Sequence, residues 1–222
     1  MTDLLPSVIV ETNDQPDATI IWLHGLGSDG HDFESLVPAL SLLPSLGVRF
    51  IFPHAPKRPV TINGGMAMRA WYDIYEMTLD RKVDMANIDE SYEQIEALID
   101  DQINKGISAD RIVLAGFSQG GVIAYQTALR TKHTLAGVLA LSTYLVKGDE
   151  VPEAADCPNG KTSILIHHGL QDPVVVPALG VQAKDLLVSK GFSVSYQSYE
   201  MPHSVCPEQV QDISVWLNDR LA

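Results

Sequence analysis

Residues 111–125 read RIVLAGFSQGGVIAY. The apolar run Ile112-Val113-Leu114-Ala115 has the residue types of a buried strand, and the stretch from Gln119 onward has those of a helix. Between them Gly116-Phe117-Ser118-Gln119-Gly120 fits the pattern GxSxG. A serine at so sharp a strand-to-helix turn has a strained backbone and a hydroxyl that points outward. Side chains at Gly116 or Gly120 would collide with the neighbouring strand and helix. The pentapeptide also arises by chance, so its meaning depends on what the rest of the chain supplies.

Working outward, strand-like and helix-like stretches alternate. Short apolar runs at 8–11, 19–24, 48–52, 135–141, 163–167 and 194–199 read as strands. Helices are expected over 32–43, with Pro38 as a flaw, and over 87–105, with Asn87 as N-cap, Glu90 three residues later and Gly106 as the stop. Further helices are expected over 119–130, over 177–190, and from Pro207 onward. This alternation implies βαβ crossovers, hence an α/β fold with a mainly parallel sheet covered by helices on both faces. One domain is expected over 1–222. Ligands in such sheets bind beyond the carboxyl ends of the strands. The segment 53–83 breaks the pattern with Pro56, Pro59, Gly64 and Gly65 while staying apolar, and an irregular segment of that length is usually functional.

Bulk composition narrows the function. With 45% hydrophobic and 19% charged residues the chain is globular in type, and its net charge of −13 opposes nucleic acids and anionic membrane surfaces. Its first ten residues, MTDLLPSVIV, carry no basic n-region, and no apolar run reaches the roughly 20 residues that span a bilayer. Cys157 and Cys206 form neither a disulfide framework nor a metal spacing. A cytoplasmic protein without cofactor or metal is expected.

A serine becomes a nucleophile when a base, usually a histidine oriented by a carboxylate, removes its proton. In this architecture the chain order is Ser, then Asp or Glu, then His. His133 lies at the far end of the serine's own helix, and His167 and His168 precede the best carboxylate, as packing or supporting groups. His203, in MPHSVCP just after a strand, is the base. Asp172, in GLQDPVV after the strand 163–167, is the carboxylate. The tetrahedral oxyanion needs two donors, taken as the backbone N–H of Gln119 and that of Leu26 in the loop HGLGSDG.

Six blocks in order, HGLGSDGHDF at 24–33, FPHAP at 52–56, AWYDI at 70–74, GFSQGG at 116–121, HHGLQDPVV at 167–175 and the pair Pro202-His203, resemble the carboxylesterase and acyl-protein thioesterase family of α/β-hydrolases. The resemblance implies an α/β-hydrolase fold with little or no cap, a Ser118, Asp172, His203 triad, and cofactor-free hydrolysis of esters or thioesters with apolar acyl groups. The substrate would be a small ester, a lysophospholipid or an acylated protein, and dimerisation near the site occurs in the family. Met66, Met68, Trp71 and Met77 are candidates for an acyl groove, since thioethers adapt to irregular apolar ligands, with Val174 and Val175 as its opposite wall; they would equally serve as cover for the core. Two rivals stand beside this reading. GLGSDG also fits a dinucleotide-binding GxGxxG, although no acidic residue lies between Glu34 and Asp73 to hold a ribose, leaving only Arg49 or Arg58 for a phosphate. An inert hydrolase-fold binding module is disfavoured by the presence of all three triad side chains.

Overall fold

The computed structural model describes residues 4–78 and 81–222. Residues 79 and 80 of the irregular segment lie outside the described residues, as do 1–3. Nine strands occur in the described residues: β1 (Ser7–Glu11), β2 (Ala18–Leu23), β3 (Val48–Pro53), β4 (Lys57–Val60), β5 (Met66–Arg69), β6 (Ile112–Phe117), β7 (Gly137–Leu141), β8 (Ser163–Gly169) and β9 (Val194–Tyr199). With them run four α-helices, α1 (Met85–Asn104), α2 (Gln119–Arg130), α3 (Pro177–Ser189) and α4 (Pro207–Leu221). Seven strands form one sheet in the order β1-β3-β2-β6-β7-β8-β9. Only β1 runs antiparallel to its neighbour. The architecture is the α/β-hydrolase fold.

Strand alternation explains the two-sided core. On β2, Ile21 and Leu23 face the layer that contains α1, α2 and α3, while Ile20 and Trp22 face the layer of α4. Both sets are buried, which is why β2 reads as a continuous apolar run rather than an alternating one. Each large apolar side chain so buried contributes about 1.5–3 kcal/mol.

Three local expectations are corrected. Residues 32–43 do not form an α-helix: a 3-10 helix, Glu34–Leu40, stands there with Pro38 inside it and no side-chain cap, since proline removes an N–H from the α ladder. Helix α1 starts earlier than expected and is capped by Asp84, whose carboxylate accepts from Asn87 N–H at 3.1 Å. Asn87 instead accepts from Asp73 N–H through its side chain, which ties the preceding segment to α1. The segment 53–83 is less irregular than expected, because β4 and β5 pair into an antiparallel ribbon whose turn carries Gly64 and Gly65 at positive φ.

Candidate active site

Ser118 joins β6 to α2 at φ 53°, ψ −118°, a left-handed conformation that a serine adopts only under constraint. Close packing supplies the constraint. A Cβ on Gly116 would lie 2.4 Å from Gly120 O, and one on Gly120 2.4 Å from Leu23 O on β2. Ser118 N–H donates to Leu141 O at 2.9 Å, and Thr143 Oγ1 donates to Ser118 O at 2.7 Å, so the end of β7 holds the turn from the other side. Thr143 is a support marked in the sequence only by its place just after a strand.

Asp172 and His203 meet at the ends of β8 and β9. His203 Nδ1 lies 2.7 Å from Asp172 Oδ2, and Asp172 Oδ1 accepts from Val174 and Val175 N–H at 2.8 Å each. Burial, the largest influence, raises the Asp172 pKa, but the bonds from His203, Val175 and Val174 together outweigh it and hold the carboxyl below its ordinary range. His168 is fully buried behind it, Nε2 donating to Val175 O at 2.7 Å and lying 3.7 Å from Asp172 Oδ2. That bond braces the turn whose N–H groups bind the carboxylate. Phe117 packs against the His203 ring at 4.6 Å between centroids, placing the imidazole beside the elbow. Among the described residues no hydrogen bond joins Ser118 Oγ to His203, and such bonds often tighten only when substrate is bound.

The glycine loop follows β2, which pairs directly with β6, so Leu26 and Gln119 come from adjacent strand ends. Gln119 is the first residue of α2, where an N–H has no intrahelical acceptor. In the loop, Gly27 N–H donates to Arg69 O and Ser28 N–H to Gly25 O, while among the described residues Leu26 N–H has no acceptor. His24, buried at the loop's start, donates from Nδ1 to Gly25 O at 2.7 Å and accepts Ala55 N–H on Nε2 at 3.1 Å. Burial pushes its pKa down, which keeps it in that neutral form.

The proposed groove residues divide. Met66 is 65% exposed on the ribbon, Met68 Sδ approaches Gly27 of the glycine loop, and Met77 and Val174 are exposed. Trp71 and Val175 are corrected: both are buried and offer no surface to a groove, because Trp71 is bonded between Gln119 and His24, and Val175 between Asp172 and His168. A cavity of about 560 Å³ opens between 75–85 and 144–148, lined by Tyr75, Arg81, Val83, Met85, Tyr144 and Val146 among others. His133 pairs with Asp100 at the other end of α2, about 18 Å along a 12-residue helix from the serine. Glu96 joins those two in a small cluster of metal-type ligands on the surface, with Lys132 Nζ 3.6 Å from Asp100. The dinucleotide reading loses its phosphate partners: Arg49 is held by Glu11 and Gln102, and Arg58 by Ala70 O and Glu90.

Comparison with known proteins agrees with this geometry. The Phospholipase/Carboxylesterase family description matches residues 5–221. Acyl-protein thioesterase 1 of Neurospora crassa is 40% identical over 225 residues, covering 97% of this chain and 92% of that protein. Among solved structures, acyl-protein thioesterase 2 of Zea mays superposes with a TM-score of 0.84 at 28% identity, covering 98% of this chain and 99% of that one. Arabidopsis thaliana SOBER1 gives a TM-score of 0.84 at 29% identity over 92% of this chain and 99% of its own.

Proposed function

This chain belongs to the phospholipase/carboxylesterase family and is a serine hydrolase of carboxylic esters and thioesters; on that premise we propose that Ser118, His203 and Asp172 perform the reaction. The 2.7 Å contact between Asp172 and His203 Nδ1 carries the proposal. It fixes the tautomer with the proton on Nδ1 and leaves the Nε2 lone pair for the serine. Ser118 Oγ attacks the acyl carbon as His203 Nε2 takes its proton. The tetrahedral oxyanion is met by Leu26 and Gln119 N–H, each such donor being worth roughly 3 to 4 kcal/mol. Collapse returns the proton to the leaving alcohol or thiol, and His203 then deprotonates the water that cleaves the acyl-enzyme.

The acyl chain would run along the exposed Met66, Met77 and Val174 and the half-buried Met68, toward the 560 Å³ cavity at Tyr144, the residue after the Thr143 that supports Ser118. Acylated protein is the substrate favoured by the thioesterase relatives. Among the described residues no helix is long and apolar enough to cross a membrane, and the free thiols of Cys157 and Cys206 support a cytoplasmic setting. A fluorophosphonate probe should label Ser118 alone, and Ser118→Ala should cut kcat by about 10⁶-fold. Labelling elsewhere, or full turnover in Ser118→Ala, overturns the assignment.

A further inference from the structure

Gln119 has a side chain that its role as a backbone donor does not use, and that side chain is 2% exposed. Trp71 N–H donates to Gln119 Oε1 at 2.8 Å, and Gln119 Nε2 donates to Tyr72 O at 2.7 Å. The amide is therefore gripped at both ends by two successive residues, which also fixes which end is oxygen. From Trp71 the connection continues: indole Nε1 donates to His24 O at 2.9 Å. His24 is two residues before Leu26, and its own ring closes on Gly25 O. The anchor does not float, since Ser91 Oγ of α1 donates to Trp71 O at 2.5 Å. A buried relay of two side chains, Gln119 and Trp71, thus runs from the residue bearing one oxyanion donor to the turn bearing the other.

We propose that Gln119 and Trp71 are positioning residues that set the separation of the Leu26 and Gln119 N–H donors. The inference rests on the hydrolase reading above and on the contacts just described. β2 and β6 already pair up to Leu23 and Gly116, but the ladder ends there, before either donor. Beyond the ladder the elbow glycines are locked by packing on backbone, and in the glycine loop the far end is packed as closely, at Gly30 against Phe52 O. The near end, 24–26, which bears the Leu26 donor, is joined to the elbow residue Gln119 through the Trp71 bridge. A displacement of about 1 Å at such a site costs on the order of 100-fold in rate, and it does so in the transition state, because the oxyanion exists only there.

The test uses Trp71→Phe and Gln119→Met, which keep most of the buried volume and remove the relay's hydrogen bonds. On p-nitrophenyl esters each should lower kcat about 10- to 100-fold with KM within about twofold. The inhibition constant of a trifluoromethyl ketone, whose tetrahedral adduct carries the oxyanion, should rise in the same proportion. The double variant should fall no further than the worse single, because the two side chains act as one unit. A folded variant with wild-type kcat, or one whose KM rises while kcat holds, overturns the inference. If neither folds, Gln119→Glu is read instead: it keeps the acceptor for Trp71 N–H and loses the donor to Tyr72 O, and the same split between kcat and KM decides. Ser118→Ala is run alongside. Should it remain active, the hydrolase reading fails; should it be dead while both relay variants keep full kcat, only the positioning role fails.

Discussion

Two glycine-bearing turns at adjacent strand ends meet at the site, and they are held in different proportions by packing and by hydrogen bonds. The elbow after β6 is locked chiefly by packing: both its glycines lie against neighbouring backbone and its serine is forced to positive φ, with Leu141 O and Thr143 Oγ1 bonded to the serine backbone. The loop after β2 is held chiefly by hydrogen bonds, from Gly27 N–H to Arg69 O, from Gly30 N–H to His54 Nδ1 and from the Trp71 indole to His24 O, with close backbone packing at its far end, where Gly30 meets Phe52 O. On the proposed mechanism the nucleophile sits in the more tightly packed turn, and the Leu26 donor in the one positioned by hydrogen bonds from distant residues. Changes that crowd the elbow's glycines should fail as folding defects, and changes that cut the hydrogen bonds joining the two turns as catalytic ones.

Asp172→Asn sets the upper scale of a chemical loss with both turns intact. It should lower kcat by about 10⁴-fold without changing the thermal midpoint by more than a few degrees, because asparagine presents the wrong partner to His203 Nδ1. Full retention of rate would separate Asp172 from the chemistry. The turns themselves are compared by Gly120→Ala and Gly27→Ala in urea denaturation. The first puts a Cβ 2.4 Å from Leu23 O and should cost about 3 kcal/mol. The second has positive φ but only Met68 Sδ at 3.6 Å, and should cost about 1–2 kcal/mol. Equal costs would break the contrast.

Acid probes two buried histidines, His24 at the start of the glycine loop and His167 in β8. Burial pushes His167, at the end of β8, down to about 4 from an ordinary 6.5, and it lowers His24 as well. Between those pH values the unfolded chain binds the proton that the folded chain refuses. Stability is therefore complete above about pH 6.5 and declines as pH falls, with the His167 loss ending near pH 4 at about 3 kcal/mol. Flat stability from pH 7 to 4.5 in denaturant titrations would contradict this. The smallest effect belongs to the ribbon: Met66→Ser, at a residue 65% exposed, should change stability by less than about 0.5 kcal/mol. A larger shift would mean that Met66 is part of the fold.

The same contrast explains what could be read from the amino acids alone. The elbow and the strands and helices of the parallel sheet depend on short-range pattern, and α2 and β9 fall on the residues expected for them. The ribbon was hidden because Pro59 and Gly64-Gly65 disguise two four-residue strands. Trp71 looked like a groove residue because an aromatic side chain in a broken segment gives no sign of whether it faces solvent or core. Its partners are 47 and 48 positions away, and nothing local announces them. The Gln119 side chain was overlooked for a related reason: its main-chain role accounted for its position.

The backbone at Ser118, φ 53° and ψ −118°, carries an evolutionary consequence. Glycine would occupy that conformation at ease, whereas serine holds it at a cost of about 1–3 kcal/mol. The fold on its own thus favours the inert residue over the reactive one. In a lineage released from selection for hydrolysis, a drift from serine to glycine at 118 would make the protein sturdier as it fell silent, so the serine persists only for as long as turnover is selected.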